Sequence, residues 1–171
     1  MINEWRVMMQ KPSTSKTILT YLGTNTLVFK KEGATLMVDP HFSRPGLFRL
    51  FSGLRPDPVR VAEGLRLAEI NQLDAVLLTH THYDHIGALN DLVKAFPEAA
   101  LGVHELEKGA LYDPMENLSC GFGIDFRYSG KVDIELKDGD ALDFGPLKIK
   151  VIHTPGHTIG GVCYFLDDTL F

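Results

Sequence analysis

Apolar residues follow two different periods along this chain. Residues 17–30 are rich in β-formers, and the short apolar run Thr35-Leu36-Met37-Val38 is stopped by Asp39-Pro40, so both predict strands. Asp57-Pro58 supplies an N-cap followed by proline at the first helical position, and Val61, Leu65 and Ala68 with Leu67 and Ile70 continue at helical spacing, predicting a helix over 58–71. Asp74-Ala75-Val76-Leu77-Leu78-Thr79, with an unbroken apolar centre, runs directly into His80 and reads as a strand buried on both faces in an α/β sheet. A helix over 86–96 follows, with Ile86, Leu89, Leu92, Val93 and Phe96 on one side and Pro97 as its stop. A weaker repeat predicts a strand over 99–103, a helix near 106–111 and a loop containing Pro114, Gly121 and Gly123. Asp138-Gly139 reads as a turn between strands at 132–136 and 141–144, and further strands cover 147–152 and 161–166. The stretch 42–58 mixes Arg44, Arg49 and Arg55 with six apolar residues and reads as an amphipathic or loop insertion, too aromatic for a linker.

Composition narrows the class. With 171 residues, 44% hydrophobic and 23% charged, the chain is that of a soluble globular protein of one domain, placed at 18–171 after a polar leader at 1–17. A core of this size needs no metal to fold, so a metal here is functional. The net charge of −5, from 17 basic and 22 acidic residues, argues against a surface built for nucleic acid. Two cysteines, Cys120 and Cys163, are too few for a disulfide framework and fit a reducing compartment. The absence of a long apolar run or a signal-peptide pattern leaves the cytoplasm as the expected location, with no membrane partner.

Three of the seven histidines fall within His80-Thr81-His82-Tyr83-Asp84-His85, at the carboxyl end of a predicted strand, where α/β sheets place their sites. Imidazole and carboxylate are ligands for zinc and similar ions, and one short loop of this spacing can feed two adjacent metal positions. Burying four polar groups together without such a partner is costly. A second loop, His153-Thr154-Pro155-Gly156-His157-Thr158, turns sharply at Pro-Gly. Alone it reads as an ordinary polar loop; beside the first cluster it offers a further ligand. His41 and His104 read as surface or loop histidines.

These residues resemble the metallo-β-lactamase superfamily of metal-dependent hydrolases. The resemblance spans nearly all of 18–171 and rests on Asp39, the H-x-H-x-D-H motif at 80–85 and the T-P-G-H-T loop at 154–158. Residues 75–166 look like its glyoxalase II-like branch, through Asn117-Leu118-Ser119, Lys137-Asp138-Gly139-Asp140 and Thr154-Pro155-Gly156-His157, whereas 23–56 look more like ascorbate-lactonase-like hydrolases. The family implies an α/β fold, the αββα sandwich, incomplete here at the C-terminus. It implies that His80, His82 and His157 hold a first metal and that Asp84 and His85 begin a second site. Asp39 would orient the ligands from behind, although it also reads as a plain turn residue before Pro40; His153 is not a ligand position in the pattern and falls next to or behind the ligands. The expected cofactor is Zn2+, one or two ions, with iron or manganese as alternatives.

The expected chemistry is attack by metal-bound hydroxide on a thioester or related ester of a small-molecule substrate, with Asp84 both binding metal and directing the hydroxide. The alternatives are a lactonase or phosphodiesterase of the same superfamily, or a metal-binding fragment without turnover. The family's bridging aspartate lies further beyond the T-P-G-H histidine than this chain extends. Asp168 therefore reads either as a substitute ligand, within Asp168-Thr169-Leu170-Phe171, or as part of a hairpin turn at Asp167-Asp168. An incomplete second sheet predicts completion by another chain or self-association, and a first metal site that forms while the second stays weak.

Overall fold

A computed structural model describes residues 16–22, 25–42 and 57–171. The predicted insertion at 42–58 lies outside the described residues except for Phe42, Asp57 and Pro58, and the leader at 1–17 except for Lys16 and Thr17. The first sheet takes six strands in sequence order: β1 (Ile18–Tyr21), β2 (Leu27–Lys31), β3 (Ala34–Val38), β4 (Ala75–Leu77), β5 (Ala100–His104) and β6 (Ile134–Leu136). The first three are antiparallel, and β3 to β6 run parallel. The second sheet is antiparallel, in the order β10 (Thr169–Leu170), β9 (Val162–Leu166), β8 (Leu147–His153), β7 (Ala141–Phe144).

Strand alternation assigns successive side chains to two cores. Met37, Val76 and Leu78 face a core shared with α1 (Pro58–Leu67) and α3 (Leu89–Ala95), while Leu36, Val38, Ala75 and Leu77 face a core shared with Leu147, Ile149, Val151, Val162, Tyr164 and Leu166 of the second sheet. The central strands are thus buried on both faces, which is why 74–79 has an unbroken apolar centre. The outer face of the second sheet carries exposed Lys148, Lys150 and Phe165, and among the described residues no helix covers it. Helix, sheet and sheet therefore stack as three layers of the expected sandwich.

Several boundaries differ from the predicted ones. Asp57 caps α1 by accepting from the Val59 amide at 3.0 Å, as expected, but the helix ends at Leu67 rather than 71. Glu69 adopts a left-handed φ of 51°, its amide bonds Arg66 O, and the Ile70 amide reaches back to Leu65 O, a Schellman stop without its usual glycine. The helix predicted over 86–96 is split into α2 (Tyr83–Ile86) and α3, and that near 106–111 is only a 3-10 turn at Gly109–Tyr112.

The topology gathers loops at one end. Val38 and Leu77 are register partners, so Asp39 and Thr79 leave neighbouring parallel strands side by side. The loop from β8 to β9 opens at the same end, because the Val162 amide donates to Thr79 O at 2.8 Å and the Tyr164 hydroxyl donates to Leu78 O at 2.6 Å, joining the two sheets there.

Candidate metal centre

His80 and His82 emerge from the carboxyl end of β4, and His157 arrives from the β8–β9 loop. Gly156 has a φ of 154°, a conformation that L side chains rarely adopt, and this lets the loop turn directly after Pro155. One ligand atom from each of His80, His82 and His157 lies within 4.8 Å of the other two, and among the described residues this is the only such group of three or more potential ligands. The ring centroids are 4.6 to 4.9 Å apart.

A chain of hydrogen bonds prepares His80. Asp39, held at a left-handed φ of 51°, accepts from the Thr79 amide at 2.8 Å through Oδ1 and from the Thr79 hydroxyl at 2.6 Å through Oδ2. That hydroxyl has given its single proton to Asp39, so at 3.2 Å it must accept from His80 Nδ1–H. His80 Nε2 is then the bare nitrogen, and it is a buried atom with no protein partner. Such an orphan is costly unless something occupies it. Burial, reinforced by the neighbouring His85, His82 and His157, pushes the His80 pKa down to about 3, so the ring stays neutral and able to coordinate. Burial and His157 likewise lower His82. A bare, buried His80 Nε2 within reach of ring nitrogens of His82 and His157 fits a divalent ion.

His85 is oriented by the same carboxylate. Its Nδ1–H donates to Asp39 Oδ2 at 2.9 Å, and its ring centroid lies 3.9 Å from that of His80. Burial pulls its pKa down, but the hydrogen bond and charge of Asp39 outweigh this and hold it above its ordinary value. Asp84 Oδ2 is 3.6 Å from His85 Nε2, and the Asn25 amide donates to both groups, at 3.3 and 3.0 Å. Asp84 and His85 are therefore neighbours, with no third histidine, cysteine or carboxylate completing a set among the described residues.

Other predicted positions lie elsewhere. Asp168 sits in the hairpin turn between β9 and β10, at the opposite end of β9 from the histidines, about 15 Å along a five-residue strand. Neighbouring Asp167 contacts Thr17 and Lys31 there. The ligand reading of Asp168 is thus replaced by the turn reading. His153 does not join the three ligands: its Nε2 donates to Ile159 O at 3.0 Å, bracing the loop that carries His157. His41 and His104 are not surface residues but are 1% and 4% exposed. The buried Thr26 hydroxyl accepts from the His41 and Phe42 amides and donates to Asp39 O, folding the chain inward, and burial lowers the His41 pKa to about 4. His104 ends a strand buried from Leu101 onward and stacks on His153 at 4.4 Å. The contact that sequence reasoning missed is Asn25, which reaches Asp84 and His85 from the β1–β2 connection, some sixty positions away in sequence.

Known proteins resemble this chain in sequence and in fold. The chain is 35% identical over 150 residues to a hydroxyacylglutathione hydrolase of Aeromonas hydrophila, covering 84% of this chain and 45% of that protein. It is 37% identical over 95 residues to a probable metallo-hydrolase, YqgX, of Bacillus subtilis, covering 55% of this chain and 44% of the relative. The chain thus spans less than half the length of these relatives. Among solved structures, the BLEG-1 B3 metallo-beta-lactamase superposes with a TM-score of 0.66 at 27% identity, over 89% of this chain and 66% of that one. The class B3 di-zinc enzyme LRA-12 from an Alaskan soil metagenome does so with a TM-score of 0.68 at 23% identity, over 87% and 54%, a likeness of fold. The metallo-beta-lactamase superfamily model matches residues 19–171, and the chain belongs to that superfamily.

Proposed function

We propose that this chain forms the metal centre of a hydrolase that cleaves a thioester or related ester bond of a small molecule. The observation that carries the reading is the relay from Asp39 through Thr79 to His80, which leaves a buried, bare Nε2 beside His82 and His157. His80, His82 and His157 would hold the ion, and a three-nitrogen donor set with an open position suits catalytic zinc. When bound, such an ion supplies Lewis acidity and lowers the pKa of water from about 15.7 to about 7.

The protein's own groups do the rest. Asp39 keeps His80 in one tautomer and His85 in one orientation, so neither ring must reorganise. Asp84, with its side chain half exposed beside His85, takes the role of orienting the attacking water by accepting its hydrogen bond. Asp84 and His85 form only the beginning of a second ion site, so the three-histidine site dominates. Free Cys120 and Cys163 fit a reducing compartment, the basis for placing the protein in the cytoplasm, and no described helix is long and apolar enough to cross a membrane.

The thioester preference is supported by the relatives named hydroxyacylglutathione hydrolase. Assays of the zinc-loaded chain on a hydroxyacyl-glutathione, a lactone and an aryl phosphodiester test it. Fastest turnover of the thioester is expected, with loss on chelation. Preference for the lactone or phosphodiester would overturn the substrate assignment, and turnover equal in wild type and His82→Ala would overturn the enzymatic reading.

A further inference from the structure

We propose that Glu107 is a positioning residue that locks the His157 loop to the His80/His82 loop, an assignment that rests on the metal-centre reading above. Glu107 is only 4% exposed and lies just beyond β5, outside the H-x-H-x-D-H and T-P-G-H-T motifs. Its two carboxylate oxygens face different loops. Oε2 accepts from the Thr81 amide at 3.1 Å and from the Thr81 hydroxyl at 2.5 Å, and Thr81 is the residue between His80 and His82. Oε1 accepts from the Gly160 amide at 2.9 Å, three residues past His157. One buried side chain thus spans two segments that are otherwise separated by more than seventy positions.

The second attachment depends on close approach. A Cβ built on Gly160 would stand 2.7 Å from Glu107 Cγ and 2.9 Å from His104 Nδ1, so a side chain there would force the loop, the Glu107 stem or the His104 ring to shift and would disturb the attachment. Burial pushes the Glu107 carboxyl up, but the Thr81 and Thr158 hydroxyls and the Gly160 and Thr81 amides more than offset this and hold it below the usual carboxylate range. It therefore remains an acceptor for the Thr81 hydroxyl and both amides. A neutral carboxamide cannot do the same: glutamine has one acceptor oxygen, so one of the two backbone N–H groups would lose its partner. His157 itself is exposed and lacks the side-chain relay that fixes His80, so its place at the cluster depends on how its loop is held.

Zinc affinity of the full chain, measured by competition with a chromogenic chelator, and the visible spectrum of the Co2+-loaded chain test this. Partners behind metal ligands typically change affinity by about 10–100-fold. Glu107→Ala is expected to weaken zinc binding toward the upper end of that range, and Glu107→Gln, which keeps one acceptor, toward the lower end. Both are expected to alter the Co2+ spectrum at saturating metal, which a loss of stability alone would not do. If Glu107→Ala does not fold, Gly160→Ala breaks the same attachment from the other side and is expected to give the same spectral change. Unchanged zinc affinity and an unchanged Co2+ spectrum in Glu107→Gln and Gly160→Ala would overturn the assignment. Failure of the metal-centre reading looks different: wild type itself would bind zinc no better than His80→Ala.

Discussion

The loop carrying His80, His82, Asp84 and His85 is held by side chains directly behind its ligands, whereas the loop carrying His157 is held by its own backbone and by two side chains, Glu107 and His153, that reach it only past the histidine. In the first, Asp39 alone engages the Thr79 amide, the Thr79 hydroxyl and His85, and the ring of His80 is buried. In the second, Thr154 N bonds Gly161 O at 2.8 Å and Gly156 N bonds Thr158 O at 3.0 Å, while His157 is exposed. The difference teaches where preorganisation lies: the first loop presents its ligands as part of the core, and the second closes over them from the neighbouring sheet. Stability and metal binding are therefore coupled at the first loop and separable at the second.

Substitutions should expose that asymmetry. The largest effect is expected from removing a ligand: His82→Ala and His157→Ala should each lower zinc-dependent turnover by more than the roughly 100-fold upper range for residues behind the ligands, measured as kcat/KM on the best ester substrate. For His157→Ala the melting temperature of the metal-free chain should not move, and a large drop would show that the second loop is part of the core after all. Asp39→Ala comes next. It strands three polar groups, each at about 1–3 kcal/mol when buried, so urea denaturation should show a loss of several kcal/mol together with weaker zinc binding. A loss of zinc affinity without loss of stability would remove the coupling claimed for the first loop.

Acidification should act on the same side of the comparison. His80 and His41 have folded pKa values lowered to about 3 and about 4 from 6.5, so below about pH 6.5 the unfolded chain binds protons that the folded chain refuses. Stability of the metal-free protein should therefore fall as pH drops from 6.5 toward 4, by up to about 1.4 kcal/mol per pH unit for each histidine. His85, whose pKa is raised, opposes this, gaining stability below its folded value. Urea midpoints at pH 7 and pH 5 check the balance, and a midpoint that rises at pH 5 would contradict the buried, neutral state of His80 and His41. The smallest effect is expected at Asp168. In the far hairpin turn, Asp168→Asn should change stability by less than about 0.5 kcal/mol and leave zinc affinity unchanged.

Much of this arrangement is legible in the sequence, because it is written in local patterns. Asp57-Pro58 announces its helix, the run at 74–79 announces a strand covered on both sides, and the two histidine motifs announce their meeting. What is not legible depends on partners far away in the chain. Glu69 stops α1 in a left-handed conformation for which glycine is the usual signal, and Lys30 reaches across to the exposed carbonyls of Ala68 and Glu69. His41 reads as a loop residue until Thr26 is seen folding it inward, and the Asn25 contact joins positions some sixty residues apart, which no local pattern reveals. At Asp168 a sequence likeness to a ligand segment competes with a two-residue turn, and its place between β9 and β10 fits the turn.

The central claim is that two loops from different sheets share one metal ion. Zinc retained per chain after exhaustive dialysis, compared between wild type and His157→Ala, tests it most directly. The account predicts one tightly held ion in wild type and its loss in the variant, with the variant's folded signal unchanged. Equal retention of zinc in His157→Ala would contradict it.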